Sequence, residues 1–153
     1  RYIRDFSALH VYGALNVNAR NFARELERAF RKVDAGMEAL FPQPVHTRQA
    51  AENLALARER LPRQVKLLGG ILPVVSHKNA LFLSNEMPGM RLDAQMVRRY
   101  EGLGREEAQA LSIALSRETM RAIRAHVDGF YLITPFGRVE IIAALLATAG
   151  EMR

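Results

Sequence analysis

The stretch MEALFPQPV, residues 37–45, identifies the fold class because it combines a short apolar run with an abrupt end. The run has the near-continuous hydrophobicity that is typical of a strand buried on both faces of a parallel sheet. Its end holds an amide, Gln43, between Pro42 and Pro44, which have no backbone N–H to donate to a neighbouring strand. A glutamine held in an extended segment at the end of a strand is a candidate ligand-binding residue.

Three further apolar runs of the same kind lie on either side of this stretch. They are HVYGALNV at residues 10–17, KLLGGILPVV at 66–75 and GFYLITPF at 129–136. Each run is followed by a segment with helical spacing, and the candidate N-caps of these helices are Asn18, Thr47 and Ser76. Two extra helices are predicted before the last strand, beginning at Asp93 and Arg105. Alternation of strands and helices predicts parallel strands joined by right-handed crossovers.

Two α/β architectures fit this order of elements. A doubly wound sheet usually carries a G-x-G-x-x-G loop after a strand, and the sequence has none. A (β/α)8 barrel gathers polar residues at the carboxyl ends of its strands. The polar residues at those ends here are Asn16, Asn18, Gln43, Ser76, His77, Thr134 and Arg138. We therefore predict the parallel (βα)4 half of a TIM-type (β/α)8 barrel, with extra helices before the last strand.

Four strands cannot close a barrel, so the prediction has a consequence for partners. Residues 1–153 are expected to form one half-barrel domain whose sheet edges are open. The other half would be an N-terminal half-barrel missing from this chain, or a second copy in a homo-oligomer. The first residue is Arg1 rather than Met, which fits a piece of a longer protein.

The composition excludes several classes of function. The 153 residues include no cysteine, so disulfides and thiolate metal sites are excluded, and a cytoplasmic location is expected. The four histidines lack H-x-x-x-H spacing, so no metal site is expected. No apolar run reaches the ~20 residues of a membrane span. The net charge of +6 suits an anionic ligand, but basic residues alternate with acidic ones and aromatic residues are only 7%, so nucleic acid is an unlikely partner.

Four stretches in order carry a resemblance to a known family: GALNVNARNF, FRKVDAG followed by FPQPV, GGILPVVSHKNALFLSNEMPG, and DGFYLITPFGR. The chain resembles the methylenetetrahydrofolate reductase family, especially the reductase portion of bifunctional homocysteine S-methyltransferase/methylenetetrahydrofolate reductase proteins. The resemblance implies an FAD-dependent oxidoreductase of one-carbon metabolism and methionine biosynthesis. Such an enzyme reduces 5,10-methylenetetrahydrofolate to 5-methyltetrahydrofolate with NAD(P)H. The matching part begins at the fifth barrel strand, so the first four strands, with several flavin contacts, are absent.

The resemblance also implies site residues on the folate side. These are Gln43, Asn79, Leu83 and Arg138, with Phe82 as an alternative to Leu83. The amide of Gln43 offers both a donor and an acceptor to a ring edge. The guanidinium of Arg138 suits a carboxylate or a carbonyl edge of the folate tail. The resemblance identifies no catalytic residue in this chain.

On the cofactor side, the resemblance implies FAD contacts at Arg28, Arg31 and Lys32, which share one face of a predicted helix, and at Asn16. The alternative interpretation of the three basic residues is a solvated helix face. For the chain as a whole, the alternative is a catalytically inactive half-barrel fragment or module that self-associates through its open sheet edges.

Overall fold

The chain folds into a four-stranded sheet with helices packed on one face. The computed structural model describes residues 2–151, apart from the side chains of Tyr2, Arg4 and Glu151. The elements in chain order are α1 (Tyr2–Phe6), β1 (Tyr12–Leu15), α2 (Phe22–Asp34), β2 (Ala39–Pro42), α3 (Arg48–Arg60), β3 (Lys66–Ile71), α4 (His77–Asn85), α5 (Ala94–Arg98), α6 (Arg105–Ile123), β4 (Gly129–Leu132) and α7 (Val139–Glu151). Short 3-10 turns, Arg124–His126 and Pro135–Gly137, flank β4.

All strand pairs are parallel and the spatial order, β1-β2-β3-β4, follows the sequence. This order has no reversal, whereas a doubly wound sheet reverses its strand order at a switch point. The chain is therefore an α/β protein with four parallel strands in one sheet, an arrangement consistent with half of a barrel. The extra helices α5 and α6 stand before the last strand, as the sequence predicts.

The prolines at the end of β2 shorten its hydrogen-bonded ladder with β3, because proline has no backbone N–H to donate. The ladder between β2 and β3 covers only Ala39 with Lys66 and Leu40 with Leu67. Pro42 and Pro44 have no N–H to extend it, and pairing with β3 resumes only where Val45 N donates to the Gly70 carbonyl at 3.2 Å.

The main hydrophobic core lies between the sheet and helices α2, α3, α6 and α7. Its fully buried members include Leu15, Leu40 and Leu67 from the strands, with Leu54, Met120, Ile123, Ile141 and Leu145 from the helices. A second cluster packs α4, α5 and the start of α6 around Tyr100. The inserted helices thus have a core of their own beside the sheet.

The other face of the sheet has no helix on it within the described chain, and here the sequence prediction was wrong. Near-continuous hydrophobicity indicated strands buried on both faces, but Tyr12 is 53% exposed, and Phe41 and Tyr131 are half-buried. These three rings form a row across the sheet, with centroids 5.8 Å apart between Tyr12 and Phe41 and 5.3 Å apart between Phe41 and Tyr131. We call this the open face.

The N-terminal hydrogen bonds of the helices test the predicted N-cap residues. The side chains of Thr47 and Ser76 accept hydrogen bonds from the N–H groups of Ala50 and Asn79, so both predicted caps are confirmed. Asn18 is not a cap, because α2 begins later, with Asn21 accepting from Arg24 N. The strands are shorter than the apolar runs, and α1 was not predicted.

The amino-terminal end of the sheet is held by a charged cluster around Asp128. Its carboxylate accepts from Lys66 Nζ at 3.1 Å, from Arg58 Nη1 at 3.3 Å and from the Leu67 N–H at 2.9 Å. Arg58 is buried and also donates to the carbonyls of Val65 and Pro62. In barrels this end contributes stability rather than chemistry. Among the helices described, none is long and apolar enough to cross a membrane.

Candidate functional site

The polar residues that follow the four strands lie at one edge of the sheet. Parallel strands bring their carboxyl ends to the same edge, so Asn16 after β1, Gln43 after β2, Ser76 after β3 and Arg138 after β4 share it. We call this edge the rim. It is where a barrel carries its active site.

Gln43 is fixed on the rim by its backbone. Its N–H donates to the Leu15 carbonyl at 2.8 Å, and the prolines on both sides restrict its φ and ψ angles. Since side chains alternate along an extended segment, Gln43 is placed on the same face as Phe41, the open face. Within the described chain, its half-buried side-chain amide makes no hydrogen bond, so both its donor and its acceptor are available to a ligand.

Asn79 and Arg138 line a common cavity of about 470 Å³ at the ends of β3 and β4. Its other lining residues are Val75, Ser76, Lys78, Phe82 and Phe136. The cavity combines two aromatic rings, two cationic side chains and one amide. We call it the rim cavity.

The amide of Asn79 is oriented by the turn that starts α4. Its Oδ1 accepts from Val75 N at 3.1 Å, and its own N–H donates to Ser76 Oγ at 3.1 Å. The side-chain nitrogen Nδ2 has no hydrogen-bond partner among the described residues. Asn79 is therefore a largely buried residue whose free amide nitrogen is held in one orientation at the cavity wall.

Arg138 holds an unsatisfied buried donor. Its Nη1 is inaccessible to solvent and has no hydrogen-bond partner within residues 2–151. A buried donor without a partner costs about 1–3 kcal/mol, and more when it is charged. An oxygen atom from a ligand in the rim cavity would remove that cost.

Phe136 occupies a strained backbone conformation between β4 and Arg138. Its φ is 49° and its ψ is 35°, the left-handed region, and it is the only non-glycine residue with positive φ in the described chain. For a bulky side chain this conformation is an outlier that costs about 1–3 kcal/mol. The side chain is 79% exposed, so the strain is not offset by burial of the ring.

The structure separates Leu83 from Phe82, the two apolar candidates on α4. Leu83 is 4% exposed and packs in the second hydrophobic cluster, away from the rim cavity. Phe82 is 43% exposed and lines the cavity. The geometry favours Phe82, the alternative, for contact with a ligand ring, and a ligand role for Leu83 stays a prediction.

Three of the four predicted flavin contacts make hydrogen bonds inside the chain. Arg28 Nη1 donates to Glu25 Oε2 at 2.9 Å, and Lys32 Nζ donates to the Ala14 carbonyl on β1. Asn16 donates its N–H to Glu25 Oε1 and accepts from Asn18 N with Oδ1. Only Arg31 of the four has no side-chain hydrogen bond among the described residues. The side chain of Arg28 is nevertheless 48% exposed, and contact of these four residues with FAD stays a prediction.

The sequence interpretation missed two residues of the rim cavity, Lys78 and Phe136. Lys78 follows His77 in the motif SHKNALF, and its neighbour Asn79 drew attention by the resemblance alone. Phe136 precedes Gly137-Arg138, and a positive φ at a phenylalanine leaves no signal in the sequence. Over residues 2–151, the structure shows no group of three or more His, Asp or Glu side chains that could hold a metal ion.

Comparison with known proteins supports the class of fold and goes no further. No protein-family model matches the sequence, and no curated protein matches it. Among solved structures, an uncharacterized protein from Clostridium thermocellum that binds two copies of 5-methyl-5,6,7,8-tetrahydrofolic acid has a similar fold, with a TM-score of 0.62 and 15% sequence identity. The match covers 94% of this chain and 54% of that one, so this chain spans about half the length of its structural neighbour.

Proposed function

We propose that this chain is the C-terminal half of a TIM-type (β/α)8 barrel and that it binds a reduced folate in the rim cavity. The observation that carries the proposal is the buried, unpartnered Nη1 of Arg138 in a cavity with aromatic walls. The similar fold of a structure that binds 5-methyltetrahydrofolate, and the half-length match to it, support the same conclusion.

The chemistry of the rim cavity is complementary to a folate. A reduced folate joins a pterin and a flat aminobenzoyl ring to a glutamate tail that carries carboxylates. Phe82 and Phe136 offer ring faces for stacking, and Arg138 and Lys78 offer charge-assisted donors to the carboxylates. Asn79 Nδ2 adds a fixed neutral donor to a carbonyl. Gln43, on the rim near β2, is proposed to contact the edge of the pterin ring.

Reduction of 5,10-methylenetetrahydrofolate with NAD(P)H through FAD is proposed only for the complete barrel. Arg28, Lys32 and Asn16 already make hydrogen bonds within this chain, so any contact with FAD would use their remaining donors. Arg31 is the residue of this set that we propose for contact with FAD when the other half is joined.

Isothermal titration calorimetry with (6S)-5-methyltetrahydrofolate tests the folate proposal. The chain should bind it, and should bind 6-methyltetrahydropterin, which lacks the tail, at least roughly tenfold more weakly because a charge-assisted hydrogen bond contributes about 1.5–3 kcal/mol. Arg138→Gln should lose the preference for the tail. Arg99→Gln, which changes an exposed arginine outside the rim cavity, is the matched control. No heat with either ligand would refute the proposal.

A second candidate function has its own observation, the exposed aromatic row of the open face. In this alternative the chain is an inactive half-barrel module that pairs with a second copy. The edge of β1 is partly blocked, because Lys32 donates to the Ala14 carbonyl and Glu25 accepts from the Asn16 N–H. Pairing would use the open face instead. Light scattering should then show a dimer that Phe41→Ser converts to a monomer, and a monomer at every concentration would exclude this candidate.

A further inference from the structure

A second cavity on the rim has no role in the folate proposal. It has a volume of about 310 Å³ and lies between the loop after β1, the start of α3, the last turn of α4 and residues 91–93. It shares no residue with the rim cavity. We call it the loop cavity.

Side-chain amides hold the walls of the loop cavity in place. Asn53 Nδ2 donates to the Val17 carbonyl at 2.8 Å, and Gln49 Nε2 donates to Asn53 Oδ1 at 3.3 Å. These bonds tie the loop after β1 to α3. A cavity with fixed walls lowers the ordering cost that a ligand must overcome.

Asn18 supplies an unsatisfied acceptor at this cavity. The residue is 7% exposed, and its Nδ2 donates to the Pro44 carbonyl at 3.3 Å, which fixes the orientation of the amide. Its Oδ1 is therefore the free end, and that oxygen is buried without a partner in the described chain. A buried acceptor of this kind is normally paired with a hydrogen-bond donor, which here must come from outside the described chain.

The loop cavity also carries one unpaired charge of each sign. Asp93 precedes α5 but makes no capping hydrogen bond with its side chain. Arg91 lies two residues earlier, and neither side chain has a hydrogen bond or an ion pair among the described residues. Arg48, the other cation of the lining, is already bound to Glu52 at 2.8 Å.

Free backbone donors lie at the start of α3. Thr47 caps the N–H of Ala50, which leaves the N–H groups of Arg48 and Gln49 without acceptors in the described chain. The first N–H groups of a helix and its dipole favour an anion. The helix has 13 residues, long enough for this effect.

From these groups we infer that the loop cavity binds the zwitterion of an aliphatic α-amino acid. The ammonium group donates to Asn18 Oδ1 and pairs with Asp93. The carboxylate pairs with Arg91 and accepts from the free N–H groups of α3. Ala19 and Leu92 give the side chain a small apolar wall. The volume is at the low end of the range of about 300–1,000 Å³ for ligand sites, which suits a small metabolite.

Calorimetric titration of the full chain with L-leucine tests this inference. Two analogues each lack one charge: 4-methylpentanoate has no ammonium group and 3-methylbutylamine has no carboxylate. We expect L-leucine to bind, and each analogue to bind at least roughly tenfold more weakly, since each loses a charge-assisted contact. Equal affinity for L-leucine and either analogue would overturn the inference, as would no binding of L-leucine.

Two variants test which charged group of the ligand Asp93 and Arg91 each contact. Asp93→Asn should reduce the preference for L-leucine over 4-methylpentanoate, and Arg91→Gln should reduce its preference over 3-methylbutylamine, because one contact to each charged group of the ligand is lost. Asp34→Asn and Arg99→Gln change exposed residues outside this cavity and should leave both preferences intact. Circular dichroism confirms folding of each variant. If Asp93→Asn and Arg91→Gln fold and keep both preferences, leucine binds elsewhere and the inference is wrong.

Discussion

The hydroxyl of Tyr131 on β4 donates a hydrogen bond of 2.5 Å to the carbonyl of Pro42 on β2, although β3 lies between these two strands. The ring can cross β3 because residue 70 is a glycine. A Cβ at Gly70 would lie 2.5 Å from the Tyr131 hydroxyl oxygen and 2.8 Å from the Pro42 carbonyl oxygen. The bond therefore fixes the last residue of β2 immediately before Gln43.

Gly70→Ala should destabilise the chain because it pushes Tyr131 away from Pro42. Overpacking of this kind costs about 1–3 kcal/mol in the free energy of unfolding, which urea denaturation measures. Gly150→Ala is the matched control, since a Cβ there meets nothing within 4 Å. Alanine in that helix should stabilise by about 0.5–1 kcal/mol. Similar results for the two variants would show that Gly70 is not needed for close packing.

The positions and order of the strands could be predicted from the sequence, because apolar runs and the spacing between them are local signals. The position of Tyr131 across Gly70 could not, since residues 131, 70 and 42 are distant in the sequence. The same limit applies to the bond between Lys32 and the Ala14 carbonyl. From the sequence alone, a basic residue on a helix face is expected to be solvated. Only the three-dimensional structure shows that a strand lies next to Lys32 and accepts its hydrogen bond.

The candidate site shows the same division between local and distant signals. The family resemblance names Asn79 and Arg138 as site residues, and the structure brings them to one cavity. Leu83 and Phe82 are adjacent in the sequence, and only packing shows that Leu83 belongs to a core. The sequence predicts Asn18 as the N-cap of α2, but the structure uses Asn21. The sequence does not show that Asn18 instead donates to the Pro44 carbonyl.

His46 should make the chain less stable in mild acid. Burial lowers the pKa of His46 from 6.5 to about 4. Between these values the unfolded chain takes up a proton that the folded chain excludes, so the free energy of unfolding falls as the pH falls from 6.5 towards 4. The full loss is about 3 kcal/mol.

Urea denaturation at intervals from pH 7.5 to pH 4 measures this loss. In His46→Gln the part of the pH dependence that comes from His46 should disappear, whereas His126→Gln, the control histidine, should retain it. A pH dependence that is the same in both variants would show that His46 is not its source.

Asp128→Ala should weaken the amino-terminal end of the sheet. Partial burial would raise the pKa of this carboxyl, but the Leu67 N–H, Lys66 and Arg58 outweigh it and hold the pKa below 3.8. Removal of the carboxylate leaves the buried Arg58 without its counter-ion. Because Asp128 is partly exposed, we expect a loss of about 2 kcal/mol, below the cost for a fully buried pair. Asp34→Ala, at an exposed position, should cost under about 0.5 kcal/mol.

Lys66→Met distinguishes the two cations that meet at Asp128. Lys66 is 60% exposed and Arg58 is 8% exposed, so the Lys66 pair should contribute at most about 1 kcal/mol. The stability that Asp128 provides should be lost as the pH falls through its lowered pKa, below the range in which His46 titrates. A larger loss for Lys66→Met than for Asp128→Ala would contradict this account.

Phe136→Gly should weaken ligand binding without lowering the stability of the chain. Glycine adopts a φ of 49° without strain, and the exposed ring contributes little burial, so the free energy of unfolding should stay the same or rise by up to about 1 kcal/mol. Folate affinity should fall roughly two- to twelvefold, because loss of an aromatic contact costs about 0.5–1.5 kcal/mol. Phe6→Ala, which removes an exposed ring far along the chain from the rim cavity, is the control for loss of aromatic surface. If Phe136→Gly is stabilised and binds folate as tightly as the unchanged chain, the strain at Phe136 does not serve the rim cavity.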